Sequence, residues 1–372
     1  MMSDFHWTEA GQTRSARWRS ESGFAPPERG IGAGNALTAD TAIRLARQGQ
    51  GLLWGGDFQN ARKLLDAMTR RLDRVLQDDP PRSLPEAFHE HRRRQAEIAR
   101  TLGMLLLLFD ADHRLVLGRA PDVRQACLEV YGVAAEPYVA SLRELQGLIG
   151  AHEWRKKGIL VPALGERIHP HYGVFAPIRG DYTRLVAQAP LPSLDLAFDI
   201  GTGTGVLAAI LGRRGVQRIV ASDLDPRAVA CARENLERLG MGARVATRVT
   251  DLFPEGRAPL VVCNPPWIPA EPTSPLEHAV YDPDSRMLRA FLAGLAAHLE
   301  PRGEGWLILS DFAEHLGLRS RTELLAAVSL AGLRTLGKIE VRPTHPRATD
   351  AREMFHAART AEVVSLWRLG VS

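Results

Sequence analysis

Cysteine is scarce in this chain: Cys127, Cys231 and Cys263 are the only three in 372 residues, and no two of them are closely spaced. That pattern argues against a thiolate zinc site or a disulfide framework and suits a reducing, cytoplasmic setting. Long apolar runs are also missing. None approaches the roughly 20 residues that span a bilayer, so no membrane segment is expected. The first residues, Met1 to Gly23, are polar and lack the apolar centre of a signal peptide. Lysine is nearly absent as well. Among 47 basic residues only Lys63, Lys156, Lys157 and Lys338 are lysines.

The remaining composition is that of a soluble globular protein, with 45% hydrophobic and 24% charged residues. The length suits one large domain plus an accessory one. Net charge is +4 and the sequence pI is near 9.2. An arginine bias of this kind accompanies nucleic-acid binding and equally follows from a GC-rich genome. The charge is modest and interspersed with acids, so the compositional explanation is preferred. His91-Arg92-Arg93-Arg94 and Arg155-Lys156-Lys157 remain the densest basic patches.

Residues 1–35, rich in Ser, Gly and Pro and without periodicity, are read as a flexible N-terminus. Residues 36–150 read as an α-rich accessory domain for recognition or support. Helices are expected from Thr38, over 58–77 (Leu64, Leu65, Met68, Leu72, Val75 and Leu76 on one stripe), from Pro85 through Leu105–Phe109, over 122–131 and over 140–149. Residues 151–190 read as a hairpin and linker. His169, His171 and Tyr172 cluster there without a further ligand at suitable spacing, so no metal site is assigned. From 191 to 372 apolar runs and helical segments alternate, the pattern of a mostly parallel sheet covered on both faces. Lys338–Val341 and Val363–Trp367, joined by the loop 343–360, are expected to end the chain as an antiparallel pair.

The chemistry is concentrated between Leu194 and Trp267. An apolar run ends in Asp199-Ile200-Gly201-Thr202-Gly203-Thr204-Gly205, a strand-to-helix turn that lets a ligand approach the backbone. The third glycine comes one residue earlier than in the dinucleotide fingerprint, which favours a ligand without pyrophosphate, such as S-adenosylmethionine. Asp223 closes the second strand where an acid reaches ribose hydroxyls. Asp251 closes the third, placed to accept from an adenine amino group with Leu252 or Phe253 flanking the ring. Asn264-Pro265-Pro266-Trp267 follows the fourth strand. Consecutive prolines stop the strand and leave carbonyls without ladder partners. The Asn264 side-chain oxygen and the Pro265 carbonyl can then accept both hydrogens of a planar –NH2 group while Trp267 stacks on it.

Together, Asp-Ile-Gly-Thr-Gly-Thr-Gly, Ala-Ser-Asp-Leu-Asp, Asp-Leu-Phe and Asn-Pro-Pro-Trp-Ile-Pro resemble the class I S-adenosylmethionine-dependent methyltransferases. More narrowly, they resemble the HemK family, which methylates a glutamine side-chain amide in peptide-chain release factors. Gly173–Pro177 with Arg179 and Asp181, and Pro269-Ala270-Glu271 with Tyr281-Asp282-Pro283, extend the likeness over about 173 to 312. Trp267 stands where that family usually has tyrosine, and Ile178 splits its Pro-Arg pair.

The resemblance implies an α/β fold with a seven-stranded, mostly parallel, Rossmann-like sheet, and S-adenosyl-L-methionine as cofactor. It implies that Asp199, Gly201, Thr202, Gly203, Gly205, Asp223, Leu224, Asp251, Leu252 and Asn264 hold the cofactor. Asn264, Pro265 and Trp267 would carry catalysis, and Phe175, Pro266 and Trp267 would line the substrate pocket. The acceptor could be a protein glutamine, in a translation factor, or an exocyclic amine of adenine or guanine in nucleic acid. A nicotinamide-dependent oxidoreductase would need the longer glycine spacing, and a non-catalytic binding protein would have no need of the cofactor residues.

Overall fold

The computed structural model describes residues 4–9, 11–74, 83–343 and 353–372. The chain divides into two compact units, Met1–Glu153 and Trp154–Ser372.

Beside its helices, the first unit holds a barrel that the α-rich expectation did not include. Its strands β1 (Asp4–Glu9), β2 (Gln12–Trp18), β3 (Arg29–Ala33), β4 (Gln50–Trp54), β5 (Leu105–Phe109) and β6 (Tyr138–Ser141) form a closed barrel in the order β1-β2-β6-β5-β4-β3. Its helices are α1 (Ala39–Arg47), α2 (Phe58–Arg74), α3 (Leu84–Gly103), α4 (Arg124–Tyr131) and α5 (Leu142–Lys157), the last running past the unit boundary. The described part of the N-terminal 35 residues, read as flexible, supplies three of the six strands. In β1 only Phe5 and Trp7 point inward, joining Leu53, Leu106 and Val139 in the barrel core. β2 has no fully buried residue; only Ala16 and Trp18 at its end pack on the barrel core, and main-chain pairing to β1 holds the rest, so its apolar period is too short to read. Leu105–Phe109, expected to continue a helix, is instead β5. A short continuous apolar run does not by itself distinguish a buried helix from a buried strand. Val75 and Leu76 lie outside the described residues.

The second unit opens with the hairpin β7 (Ile159–Val161) and β8 (Glu166–Ile168), then α6 (Asp181–Gln188). Its seven-stranded sheet comprises β9 (Leu196–Ile200), β10 (Arg218–Asp223), β11 (Val245–Val249), β12 (Ala258–Cys263), β13 (Leu299–Ser310), β14 (Leu333–Val341) and β15 (Val364–Val371). The order is β11-β10-β9-β12-β13-β15-β14. The first five strands run parallel, and β15 is antiparallel to both of its neighbours. The unit is therefore α/β with a mostly parallel sheet, and the last two strands do pair antiparallel. Their connection lies partly outside the described residues (344–352) and ends in the short helix α12 (His356–Ala361).

Successive strand residues alternate between the faces. Ala197, Leu260, Val262, Trp306 and Ile308 meet α6, α7 (Val206–Arg213) and α8 (Pro226–Arg238) on one side. Phe198, Ile200, Val261, Cys263, Leu307 and Leu309 meet α9 (Arg286–His298) and α11 (Arg321–Leu330) on the other. Between β13 and α11 lies the single turn α10 (Phe312–His315). Because β9 to β13 run the same way, their carboxyl ends, and with them Gly201–Gly205, Asp223, Asp251 and Asn264, emerge along one edge.

The barrel makes a prediction about β1. A Cβ on Gly30 would lie 2.3 Å from the Phe5 ring and 2.8 Å from the His6 carbonyl. Gly30→Ala is expected to destabilise the first unit by about 1–3 kcal/mol, read as a shift of its urea midpoint. A midpoint equal to wild type would mean that residues 4–9 do not pack on β3.

Candidate active site

The centre of the edge is a buried carboxylate. Asp199, the fourth residue of β9, has no solvent exposure. Its Oδ2 accepts from the Thr202 hydroxyl at 2.6 Å and from the Ala208 N–H at 3.0 Å, tying the strand end to the turn and to the first turn of α7. Its Oδ1 is buried and has no hydrogen-bond partner among the described residues. Burial pushes the Asp199 carboxyl up to about 6; the two bonds to Oδ2 oppose the shift and the charge of Asp223 adds to it.

The three glycines of the turn serve different ends. All have positive φ, at +68°, +54° and +80° for Gly201, Gly203 and Gly205. A Cβ on Gly203 would meet nothing within 4 Å, so the space before it is open to a ligand. A Cβ on Gly205 would sit 3.2 Å from the Ala232 backbone, so this glycine lets α7 approach α8. At Gly201 the neighbour is the end of the Met287 side chain, from the start of α9.

Asp223 faces the same turn. Its Oδ2 accepts from the Gly203 N–H at 2.9 Å and its Oδ1 from the Asp225 N–H at 3.0 Å. Burial raises its pKa above the ordinary carboxylate value, and those bonds to the ionised form oppose the rise. Each oxygen keeps acceptor capacity for a vicinal diol. Asp225 acts separately as the cap of α8, through a 2.8 Å bond from Arg227 N. Leu224 is 59% exposed beside Asp223.

At the next strand end Asp251 is exposed and has no hydrogen bond or ion pair among the described residues. Leu252 adopts a left-handed backbone (φ +61°), and its carbonyl accepts from the Ser222 hydroxyl at 2.6 Å. Of the two side chains expected to flank a ring, Phe253 is committed elsewhere. It stacks on Phe291 and, at 4.2 Å between centroids, on His298. That leaves Leu252.

The β12 ladder ends at Cys263, and Asn264-Pro265-Pro266-Trp267 turns along the edge. The Trp267 indole N–H donates to Asn264 Oδ1 at 3.0 Å. The oxygen expected to accept twice from a substrate amine is therefore engaged once already, and one lone pair remains. The Pro265 carbonyl accepts no hydrogen bond among the described residues. Trp267 is half-buried and touches the core clusters on both faces of the sheet, and the Arg179 guanidinium lies 5.2 Å from its ring centroid. Phe175 is half-buried against the first of these clusters, with no ring contact to Trp267 among the described residues.

Two supports were not assigned a role from sequence. After Trp267 the chain loops back, with Asp282 N–H donating to the Ile268 carbonyl at 2.8 Å. The Asp282 carboxylate then accepts from the N–H groups of Met287 and Leu288, capping α9. The Asp-Pro pair at 282–283 is the trace this cap leaves in the sequence. The second support is Arg179, which pairs with nearby Asp181 but also with Glu362 and Trp267, far away in the chain. His169 and His171 are engaged with the Arg155 carbonyl (2.6 Å) and Glu234 (2.8 Å) respectively.

Residues 166–319 match the family described as Methyltransferase small domain. The chain is 34% identical over 173 residues to a release factor glutamine methyltransferase of Cereibacter sphaeroides, covering 42% of this chain and 60% of that one. It is 34% identical over 158 residues to a ribosomal protein L11 methyltransferase of Geobacter metallireducens, covering 36% and 51%. It thus spans less than two thirds of either relative. Among solved structures, a ribosomal protein L11 methylase from Lactobacillus delbrueckii subsp. bulgaricus aligns with a TM-score of 0.35 at 16% identity, over 51% of this chain and 76% of that one. The glycine turn, Asp223, Asp251 and Asn264–Trp267 all fall inside the matched methyltransferase segment.

The Asp282 cap generates the site's own stability prediction. Asp282→Ala leaves two N–H groups at the start of α9 without their acceptor and should cost about 1–2 kcal/mol, measured by urea denaturation. Asp282→Asn should recover part of that loss. Equal midpoints for all three proteins would show that the cap contributes nothing.

Proposed function

We propose that this chain is an S-adenosylmethionine-dependent methyltransferase acting on a planar nitrogen, with the side-chain amide of a protein glutamine, in a translation factor, as acceptor. The observation that carries the reading is the pair of free acceptor positions, one lone pair on Asn264 Oδ1 and the Pro265 carbonyl, at the same sheet edge as the glycine turn and Asp223. The names of the matched relatives support methyl transfer, and one of them supports a glutamine acceptor.

The residues present fit the cofactor. The buried, unpartnered Asp199 Oδ1 suits the ammonium of its amino acid portion, and Gly203 leaves the turn open in front. Asp223 suits a ribose diol, Leu224 and Leu252 the faces of a purine, and Asp251 its amino group. When bound, S-adenosylmethionine supplies an electrophilic methyl group on a sulfonium. Two carboxylates lining the turn, Asp199 and Asp223, favour a ligand that carries positive charge.

Asn264 and Pro265 would each accept one N–H of the acceptor and so fix the direction of its nitrogen lone pair. Trp267 would restrict the plane of the amide, while Pro266 and Phe175 exclude water. Positioning and desolvation then supply most of the rate. The acceptor nitrogen sheds its proton only after the new bond forms, so no strong base is needed. A cytoplasmic location, where buried Cys127, Cys231 and Cys263 stay reduced, suits such an enzyme.

Asn264→Ala should lower turnover by about 100- to 1,000-fold and weaken S-adenosylhomocysteine binding far less, as read by calorimetry. The acceptor class is read by labelling a cell extract with radioactive S-adenosylmethionine. Protease-sensitive label supports a protein amide, nuclease-sensitive label would make the acceptor a nucleobase, and activity surviving Asn264→Ala would overturn the mechanism.

Asp199 sets a pH dependence. Only its ionised form attracts an ammonium, and its carboxyl titrates at about 6. S-adenosylhomocysteine should therefore bind more weakly as pH falls through about 6, where a proton competes for the carboxylate. Asp199→Asn should flatten that profile. A wild-type affinity constant from pH 5 to pH 8 would remove Asp199 from the cofactor site.

A further inference from the structure

The Trp267 indole is held by more than its own loop. Its N–H is spent on Asn264, and Arg179 lies over its ring, within the range where a guanidinium is attracted to an aromatic face. Arg179 is itself fixed by two buried acids. Its Nε lies 3.3 Å from Asp181 Oδ2 and its Nη2 lies 3.0 Å from Glu362 Oε1. Those carboxylates are 4% and 1% exposed as residues. Glu362 Oε1 also accepts from the Ser310 hydroxyl at the end of β13, at 2.7 Å, and Glu362 Oε2 lies 3.4 Å from Arg359. Three separate stretches of chain thus meet at one guanidinium: the start of α6, the Asn264 loop and the residues just before β15, the last of them tied through Glu362 to the end of β13. A planar, always-charged group with fixed donors is the side chain suited to stacking and pairing at once.

We propose that Arg179 is a positioning residue for the methyl acceptor, acting through Trp267 on Asn264. The guanidinium fixes the indole plane, and the indole N–H fixes the orientation of the Asn264 amide. One Oδ1 lone pair then points at a constant place along the edge beside the Pro265 carbonyl. Without Arg179 the ring is free to turn, its N–H leaves Asn264, and the amide can rotate so that an N–H replaces the acceptor oxygen. Asp181 and Glu362 act in turn on Arg179. This inference rests on the methyl-transfer reading for its kinetic consequence, but the clamp itself can be tested without any activity.

The protein is labelled with 5-fluorotryptophan, and the Trp267 resonance is assigned by its loss in Trp267→Phe. Arg179→Lys keeps a charge for the buried acids, so the fold is expected to stand, but it removes the planar stack. Its Trp267 line should shift and broaden while the other six tryptophan lines stay in place. Arg179→Met, where folded, should do the same more strongly. In methyl transfer from radioactive S-adenosylmethionine to extract protein, Arg179→Lys should lower kcat by between about 10- and 100-fold, with S-adenosylhomocysteine affinity unchanged. A Trp267 line that does not move in either variant overturns the clamp, whatever the activity. A moved line with wild-type kcat overturns the positioning role. If the wild type itself transfers no label, the methyl-transfer reading falls, and the fluorine spectra still decide whether Arg179 holds the ring.

Discussion

Asp199 places an ionisable group where water does not reach, and the geometry of the edge depends on how that group is satisfied. One oxygen draws the Thr202 hydroxyl and the Ala208 N–H toward the end of β9. The chain must therefore turn sharply over three residues with left-handed backbone, which glycine does at least cost. That turn aims the Gly203 N–H at Asp223, coupling the ends of two neighbouring strands. The other oxygen is left without a partner among the described residues. Leaving a buried acceptor unsatisfied costs about 1–3 kcal/mol, a penalty that a cationic ligand would relieve. The same burial that raises the Asp199 pKa thus favours an occupant of opposite charge.

The Asn264 side of the edge is organised differently. The glycine-turn side consists of backbone turns and strand ends close in sequence. The Asn264 side draws on residues separated by nearly two hundred positions, from Arg179 to Glu362. Short-range motifs reveal the first kind of site and hide the second. Asp199, Gly203, Asp223 and Asn264 could be named from their spacing, and the fold brings their strand ends to one edge. The use of Trp267 N–H on Asn264, the commitment of Phe253 to Phe291 and His298, and the role of Gly205 against Ala232 are packing outcomes. Each changes what a motif residue can do for a ligand.

The first unit shows where reading from pattern stops. Helices α1, α2, α4 and α5 lie near the expected positions because amphipathic periodicity over eight or more residues is a strong local signal. The barrel strands are four to seven residues long. β1 pairs with β2 across a tight connection, but it closes the barrel on β3 some twenty residues later, and β2 pairs with β6 far beyond that. No local window contains those partners, and only Ala16 and Trp18 give β2 an apolar side.

By itself the sequence determined the alternation of strands and helices after residue 191, the parallel character of the sheet, and the order of acids and glycines at its strand ends. These follow from hydrophobic period and from residues with restricted backbone choices, both local properties. Only the tertiary structure decided that the strands at Asp4–Glu9, Gln12–Trp18 and Arg29–Ala33 belong to a closed barrel, that Asp282 caps α9 beside the glycine turn, and that Arg179 reaches Trp267. Pairing between distant strands and contacts between distant side chains are selected by the energy of the whole packed unit, and no window of sequence contains both partners.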